Sequence, residues 1–289
     1  MSAHAHPEVH PETLAERLEL EAFLEALFRG YGVDFRSYAR SSLRRRVREC
    51  LRLFHLPSVS ALQERALRDR ETMERVLSLL CVNVTSMFRD PTFFVAFREK
   101  VVPRLRALPF VRVWSAGCAT GEEAWSLAIV LHEAGLYERC RIYATDLSAG
   151  ALERARAAVY PAELVREYTA NYLRAGGEAA LSDYYVARYD SVVVKGFLAR
   201  NVVFAQHDLV QDEAFNEFDV VLCRNVLIYF DARLQERVHG LFHRSLRPGG
   251  LLALGRADHL PRALRDRYHA LDAREHVYER LERAAGEAG

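Results

Sequence analysis

The stretch "VWSAGCATGEEAWS", Val113 to Ser126, joins the end of an apolar strand to a turn of small residues and then to a helix start carrying two acids. Units of this kind recur from residue 111 onward. "VRVWSA" reads as a strand and "GEEAWSLAIVLHEAG" as a helix ending at Gly135; "RIYATD" and "SAGALERARAAVY" repeat the pair. "NVVFAQHDL" and "FDVVLCRN" are further strands, "DARLQERVHGLFHRSLRPGG" is a helix closed by Pro-Gly-Gly, and "LLALGR" is a strand. Alternating strands and helices bury both faces of a parallel sheet, which fixes the class as α/β. A closing hairpin fits "RYHALDAREHVYERL". Residues 160–200 break the alternation with two short alternating runs around Asp190 and Ser191, which predicts a small antiparallel insertion.

Ligands of such sheets sit outside the carboxyl ends of the strands. The turn fails as a Walker loop, because Glu122 and Glu123 follow Gly121 where a lysine is needed, and two carboxylates repel phosphate. With only Gly117 and Gly121 it is also weak for a dinucleotide. S-adenosylmethionine remains: it has a sulfonium, an ammonium and a carboxylate but no phosphate, and nearby acids suit its positive charges. This ligand implies a class I methyltransferase (Rossmann-like) sheet. Asp146, ending "RIYATD", is placed to hold both ribose hydroxyls, or else to cap the helix that follows. "AQHDL" puts Asp208 and Leu209 where an adenine could be edged and covered. "LCRNVLIYFD" puts Arg224 and Asn225 at a central strand end, with Tyr229 just beyond as a site residue or a core aromatic.

Ahead of the sheet, residues 13–82 read as all helical, with apolar residues at helical spacing: Leu14, Leu18, Phe23, Leu27; Leu43, Val47, Leu51, Phe54; and Leu62, Leu67, Val76, Leu79, Leu80. Pro57 stops one helix, and Ser58 or Ser60 can cap the next. Residues 83–110 read as a linker helix with Phe93, Phe94, Phe97 and Val101 inward, ended by Pro103 and Pro109. Residues 1–12, with His4, His6 and His10, read as a disordered end rather than a metal site, and no metal is expected elsewhere. The domain scheme is therefore 1–12, 13–82, 83–110 and 111–285, with the insertion at 160–200.

The net charge of +1 gives the chain no overall field for nucleic acid. Locally, seven arginines lie between positions 36 and 52, opposed there only by Glu49. Arg36, Arg40, Arg44 and Arg48 recur every four residues, hence on one helix face. That face is either solvated or meets an acidic partner. The five cysteines lack paired spacing, which argues for buried thiols rather than a disulfide framework or a zinc site. No run of eighteen apolar residues and no signal-peptide core is present, so a cytoplasmic protein without membrane insertion is expected.

"NVTSMFRD", "VWSAGCATGEEAWS", "ATDLS" and "CRNVLIYFD", in this order and spacing, resemble the bacterial chemotaxis receptor methyltransferases of the CheR type. The resemblance covers residues 15–280. It implies methyl transfer from S-adenosylmethionine to glutamates of chemoreceptor cytoplasmic helices, leaving S-adenosylhomocysteine and a glutamyl ester. It implies cofactor contacts at Asn83, Thr85, Arg89, Glu123, Asp146, Asp208, Leu209, Arg224 and Asn225. Arg89 would take the methionine carboxylate, and Tyr229 would lie beside it near the methyl group. Acidic substrate helices would give the arginine-rich helix its partner, through Arg40, Arg44, Arg45 and Arg48. The protein partner is the methyl-accepting chemoreceptor cytoplasmic domain, and a monomer is expected. Departures from the pattern are Met87 for an aromatic residue, Ala124 and Trp125 for Pro and Tyr, Asp208 for Asn, and "LGRADHL" where Gly-His-Ser-Glu is usual. The last of these falls on the substrate side and keeps a second reading open, a non-catalytic cofactor-binding scaffold. A nucleic-acid methyltransferase would need an Asn-Pro-Pro-Tyr type motif that the chain lacks.

Overall fold

The computed structural model describes residues 13–81 and 84–282. The expectations for His4, His6, His10 and Asn83 lie outside them. The chain divides into two compact units, the first ending at Leu80 and the second starting at Cys81. No helix among the described residues is long and apolar enough to cross a membrane.

Among its described residues the first unit has four helices: α1 (Leu14–Tyr31), α2 (Arg40–Leu53), α3 (Val59–Arg68) and α4 (Arg70–Leu80). α1 begins in a reciprocal cap. The Glu16 amide donates to Thr13 Oγ1 at 3.1 Å, and the Thr13 amide donates to the Glu16 carboxylate at 2.9 Å. Ser58 caps α3, as its position after Pro57 predicts. The core gathers Leu20, Phe23, Leu24, Leu27, Leu43, Val47, Cys50, Leu62, Val76 and Leu80. Leu14 and Leu18 are exposed instead; α1 buries a different face, through Leu20, Phe23, Leu24 and Leu27.

The arginine stretch differs from its linear reading. Arg36 precedes α2 and pairs with Asp34 and Glu25 at 2.9 and 3.0 Å, its guanidinium 3.8 Å from the Phe28 ring centroid. Arg40 reaches Glu21 at 3.5 Å and Arg48 reaches Glu16 at 3.7 Å. Arg46 is buried and donates to the Leu80 carbonyl oxygen. The opposing acids therefore sit on α1 (Glu16, Glu21 and Glu25) and just after it (Asp34), outside the window in which only Glu49 stands among the arginines. Such exposed pairs contribute little to stability, but they neutralise part of the face. Arg44 is half-buried, and Arg45 is exposed with no ion pair among the described residues.

The second unit opens with α5 (Pro91–Ala96), a π turn (Phe97–Val101) and α6 (Val102–Leu105). Phe93, Phe94, Phe97 and Val101 are all buried, as the spacing predicts. Pro103 does not stop the helix, because it occupies the first turn of α6, where its missing N–H costs nothing. The sheet then forms from β1 (Val111–Ala116), β2 (Cys140–Asp146), β6 (Val202–Gln206), β7 (Phe218–Cys223), β8 (Leu246–Leu254), β9 (Tyr268–Asp272) and β10 (Val277–Arg280). Its order is β6-β2-β1-β7-β8-β10-β9. The first five strands are parallel and β10 and β9 antiparallel, so the closing hairpin is present. The helices between these strands are α7 (Glu122–Glu133), α8 (Ala149–Ala157) and α10 (Ala232–Ser245). Pro248, Gly249 and Gly250 do not close α10: the helix ends at Ser245 and they lie within β8, whose register against β7 shifts there.

The insertion is a three-stranded antiparallel sheet of β3 (Val159–Pro161), β4 (Tyr185–Arg188) and β5 (Ser191–Val194), in the order β3-β5-β4. Between β3 and β4 lies α9 (Val165–Arg174), a helix that the apolar spacing does not reveal. Its buried side is Tyr168, Asn171 and Tyr172, which a hydrophobic count underweights.

His239, fully buried in α10, has its Nε2 3.1 Å from the His259 carbonyl oxygen and its Nδ1 without a partner. Burial lowers its pKa to about 4. A second N–H would point at nothing, so the folded ring stays neutral while the unfolded ring charges near pH ~6.5. Stability is thus full above that value and falls as pH drops toward 4. Between pH 7 and pH 5 wild type should lose about 2 kcal/mol relative to His239→Gln. Urea unfolding at the two pH values checks this; a constant difference between the proteins contradicts it.

Candidate functional site

The loop after β1 owes its shape to two glycines. Gly117, at φ +75°, approaches the loop after β7 so closely that a Cβ would lie 2.5 Å from Val226 Cγ2. Gly121, at φ +93°, lies against α8, where a Cβ would be 2.9 Å from the Ala155 Cβ. Both positions need a residue without a side chain. The two acids then diverge. Glu122 is buried and accepts from Thr120 Oγ1 at 2.7 Å, and burial raises its pKa. Glu123 accepts from Ser115 Oγ at 2.9 Å and from Arg224 Nη1 at 3.1 Å.

Asp146, at the end of β2, accepts the Ala119 amide on Oδ2 at 2.8 Å and the Ser148 amide on Oδ1 at 2.9 Å. It does not cap α8; Ser148 does, accepting the Ala151 amide. Burial raises the Asp146 pKa. A carboxylate offers about four acceptor sites, so two remain for a ligand that donates two hydrogen bonds. Asp208 follows β6, accepts from the Val210 amide and Gln211 Nε2 at 2.8 Å each, and is likewise raised by burial. Leu209 beside it is buried.

Arg224 ends β7 with a side chain only 2% exposed. Besides Glu123 it bonds Asp90 Oδ2 at 3.0 Å and the Arg89 carbonyl oxygen at 3.3 Å, and its guanidinium lies 3.9 Å from the Phe93 ring centroid. For the sequence expectation of a direct ligand contact, Nη1 and Nη2 are committed to the protein, while the buried Nε has no hydrogen-bond partner among the described residues. Arg224 fastens the segment before α5 to the β1 loop and the β7 end. Within that segment Arg89 is half-buried and donates through Nη1 to the Val84 carbonyl oxygen at 3.0 Å; Thr85 is half-buried. Tyr229 is half-buried on a 3-10 turn (Leu227–Tyr229) after β7, so it is not a core aromatic.

One residue of this constellation has no sequence signal beyond "LGRADHL". Asp258 is 2% exposed, and its carboxylate accepts three backbone amides: Asn225 at 2.6 Å, Gly255 at 3.1 Å and Ile228 at 3.1 Å. Burial raises its pKa against the pull of those donors. It holds the β7 loop with Asn225 at φ +61°. Gly255 is obligatory there, since a Cβ would be 2.6 Å from both the Asn225 nitrogen and Asp258 Oδ2.

Residues 83–277 match the family described as CheR methyltransferase, SAM binding domain, and residues 18–81 match CheR methyltransferase, all-alpha domain. The chain belongs to the CheR methyltransferase family. The "Putative methyltransferase Cher3" of Pseudomonas putida is 47% identical over 82% of this chain and 87% of its own length. A "Chemotaxis protein methyltransferase" of Listeria monocytogenes is 29% identical, covering 82% of this chain and 88% of that protein. "Chemotaxis protein methyltransferase 2" of Pseudomonas aeruginosa is 29% identical, covering 86% and 88%.

The CheR fold here is the α/β sheet with its small antiparallel insertion, preceded by the helical unit. The cofactor is S-adenosylmethionine, and the enzyme is a methyltransferase of the chemotaxis type. The residues present fit that cofactor. Asp146 keeps two acceptor sites open for a diol, the loop after β1 turns on residues without side chains, and no phosphate-binding lysine is called for. Arg40, Arg44, Arg45 and Arg48 belong to the helical unit.

Proposed function

We propose that the chain methylates glutamate side chains on chemoreceptor cytoplasmic helices, forming γ-methyl esters. The observation that carries this reading is the state of the site's titratable groups. Each strand-end carboxylate is already held by donors: Asp146, Asp208 and Asp258 by backbone amides, and Glu123 by Ser115 and Arg224. Burial and the neighbouring acids push the Cys118 thiol up, away from thiolate. His207 is buried against Trp114, with Nε2 on the Glu213 carbonyl oxygen. The carboxylates are engaged in holding the loops or are placed to hold the cofactor, and the His207 ring packs between Trp114 and Phe215. An acceptor already ionised at neutral pH suits such a site, and a glutamate, with a pKa near ~4.3, is one.

The cofactor, when bound, supplies a methyl group on a cationic sulfur. The chain's own residues orient and enclose. Asp146 takes the ribose hydroxyls, and Asp208 and Leu209 edge and cover the adenine. Arg89 takes the methionine carboxylate, for which a guanidinium fork is suited. Asn83, Thr85, Glu123 and Asn225 complete the binding set, while Arg224 and Asp258 fix its geometry. Tyr229 borders the acceptor. Holding two charged partners in line converts a bimolecular encounter into a local one, which supplies much of the acceleration.

The test is transfer of labelled methyl to receptor cytoplasmic fragments. Alkali should release the label as methanol, and each acceptor Glu→Gln should remove its share. Alkali-stable label would mean a nitrogen acceptor and overturn the reading.

A further inference from the structure

β1, β2, β6, β7 and β8 end on the face that carries Asp146 and Asp208. In the five residues following each of these strands the sequence has two arginines, Arg224 and Arg256, and no lysine. Arg224 is buried and paired with Glu123 and Asp90. Arg256 is different. Its side chain is 54% exposed. Nη2 donates to Glu275 Oε1 at 2.9 Å and to Thr92 Oγ1 at 2.6 Å, and that hydroxyl itself donates to Glu275 Oε1 at 2.7 Å. Glu275 is only 11% exposed, so the anchor is set into the protein.

A guanidinium has five N–H donors in a planar fork. Two are engaged here, both on Nη2. Nε and Nη1 have no hydrogen-bond partner among the described residues, and Nη1 carries two of those three free donors. The guanidinium is thus anchored through Nη2 and free at Nη1. The surrounding charge gives that free group a purpose. Asp90, Glu123, Asp146, Asp208 and Asp258 crowd the strand ends, against the buried Arg224 and the half-buried Arg89, which is assigned above to the cofactor carboxylate. An anionic side chain entering such a face needs a further cation, and a guanidinium makes charge-assisted hydrogen bonds to a carboxylate.

We propose that Arg256 binds a carboxylate of the acceptor protein through its free Nη1 group and so determines selectivity for acidic acceptor segments. The inference rests on the glutamate reading above and deepens it. It also gives "LGRADHL" two functions: Asp258 holds the cofactor loop from beneath, while Arg256, two residues earlier, faces outward.

Arg256→Gln and Arg256→Lys are compared with wild type for S-adenosylhomocysteine affinity, thermal midpoint, and steady-state methylation of an acidic receptor fragment at two salt concentrations. Loss of one charge-assisted contact should raise the acceptor KM about 10- to 100-fold. Cofactor affinity and thermal midpoint should stay near wild type, and the salt dependence of KM should flatten. Lysine should restore part of the KM, as a point charge without the fork. Ester formation with an unchanged acceptor KM in Arg256→Gln overturns this inference alone. Absence of any alkali-labile ester with wild-type enzyme overturns the glutamate reading, and this inference with it. A Glu275→Gln control, which frees the guanidinium but keeps its charge, should change KM less than Arg256→Gln does; an equal change would mark Arg256 as merely structural and overturn the proposal.

Discussion

Arg224→Met is expected to lower the unfolding free energy by about 3–5 kcal/mol, the usual cost of removing one partner from a buried ion pair. Methionine fills most of the volume against Phe93, so the loss is chiefly electrostatic. Two carboxylates remain, Glu123 and Asp90, with side chains 16% and 27% exposed and their shared cation gone. Glu123 keeps Ser115 as a donor, but the two acids now face each other without a counter-charge. The double variant Arg224→Met/Glu123→Gln should therefore be more stable than Arg224→Met alone, by a coupling measurable in urea titrations. Cofactor affinity should fall in the single variant as well, because Arg224 also holds the Arg89 carbonyl and thus the segment bearing Arg89. An unchanged urea midpoint with weakened cofactor binding would instead return Arg224 to the role of direct ligand contact.

That distinction marks how far the sequence reaches. Strand ends are legible because parallel strands are short apolar runs between helices, and acids at such ends stand out against them. Asp146 and Arg224 are both visible for this reason. What each does depends on the atoms nearest in space, and those come from far along the chain: Arg224 meets Asp90, 134 residues away. The same blindness holds for the arginine stretch, whose counter-charges lie on α1 and at Asp34 just after it, and for α9, whose buried face is tyrosine and asparagine. Asp258 was hidden for another reason. A buried carboxylate satisfied by three amides has no periodicity and no partner side chain, so nothing but its place in a departing motif drew notice. Glu122 and Glu123 are adjacent and chemically alike, and the helix start alone sends one into the protein and the other toward the cofactor face.

Asp146→Ala should weaken S-adenosylhomocysteine binding by about 100- to 10,000-fold, because two hydrogen bonds to a charged acceptor contribute roughly 1.5–3 kcal/mol each. The carboxylate is pre-set for this: the Ala119 and Ser148 amides fix its plane, and the remaining acceptor sites cannot turn away. Alanine also leaves those amides without their acceptor, so the loop after β1 loosens. Asp146→Asn separates the two effects, since it keeps the shape and one acceptor oxygen but loses the charge. pH gives an independent check. Burial raises the Asp146 pKa in the free protein, whereas hydrogen bonds from a bound diol favour the ionised form. The bound state therefore holds its carboxylate to lower pH than the free state. As pH falls through the raised value, the free protein takes up a proton that binding must expel, and affinity declines. Calorimetry from pH 8 downward should show wild-type affinity dropping with proton release, while Asp146→Asn binds weakly at every pH with that release gone. Equal pH profiles for the two proteins would place the titrating group elsewhere, with Asp208, also raised by burial, next in line for the same substitution.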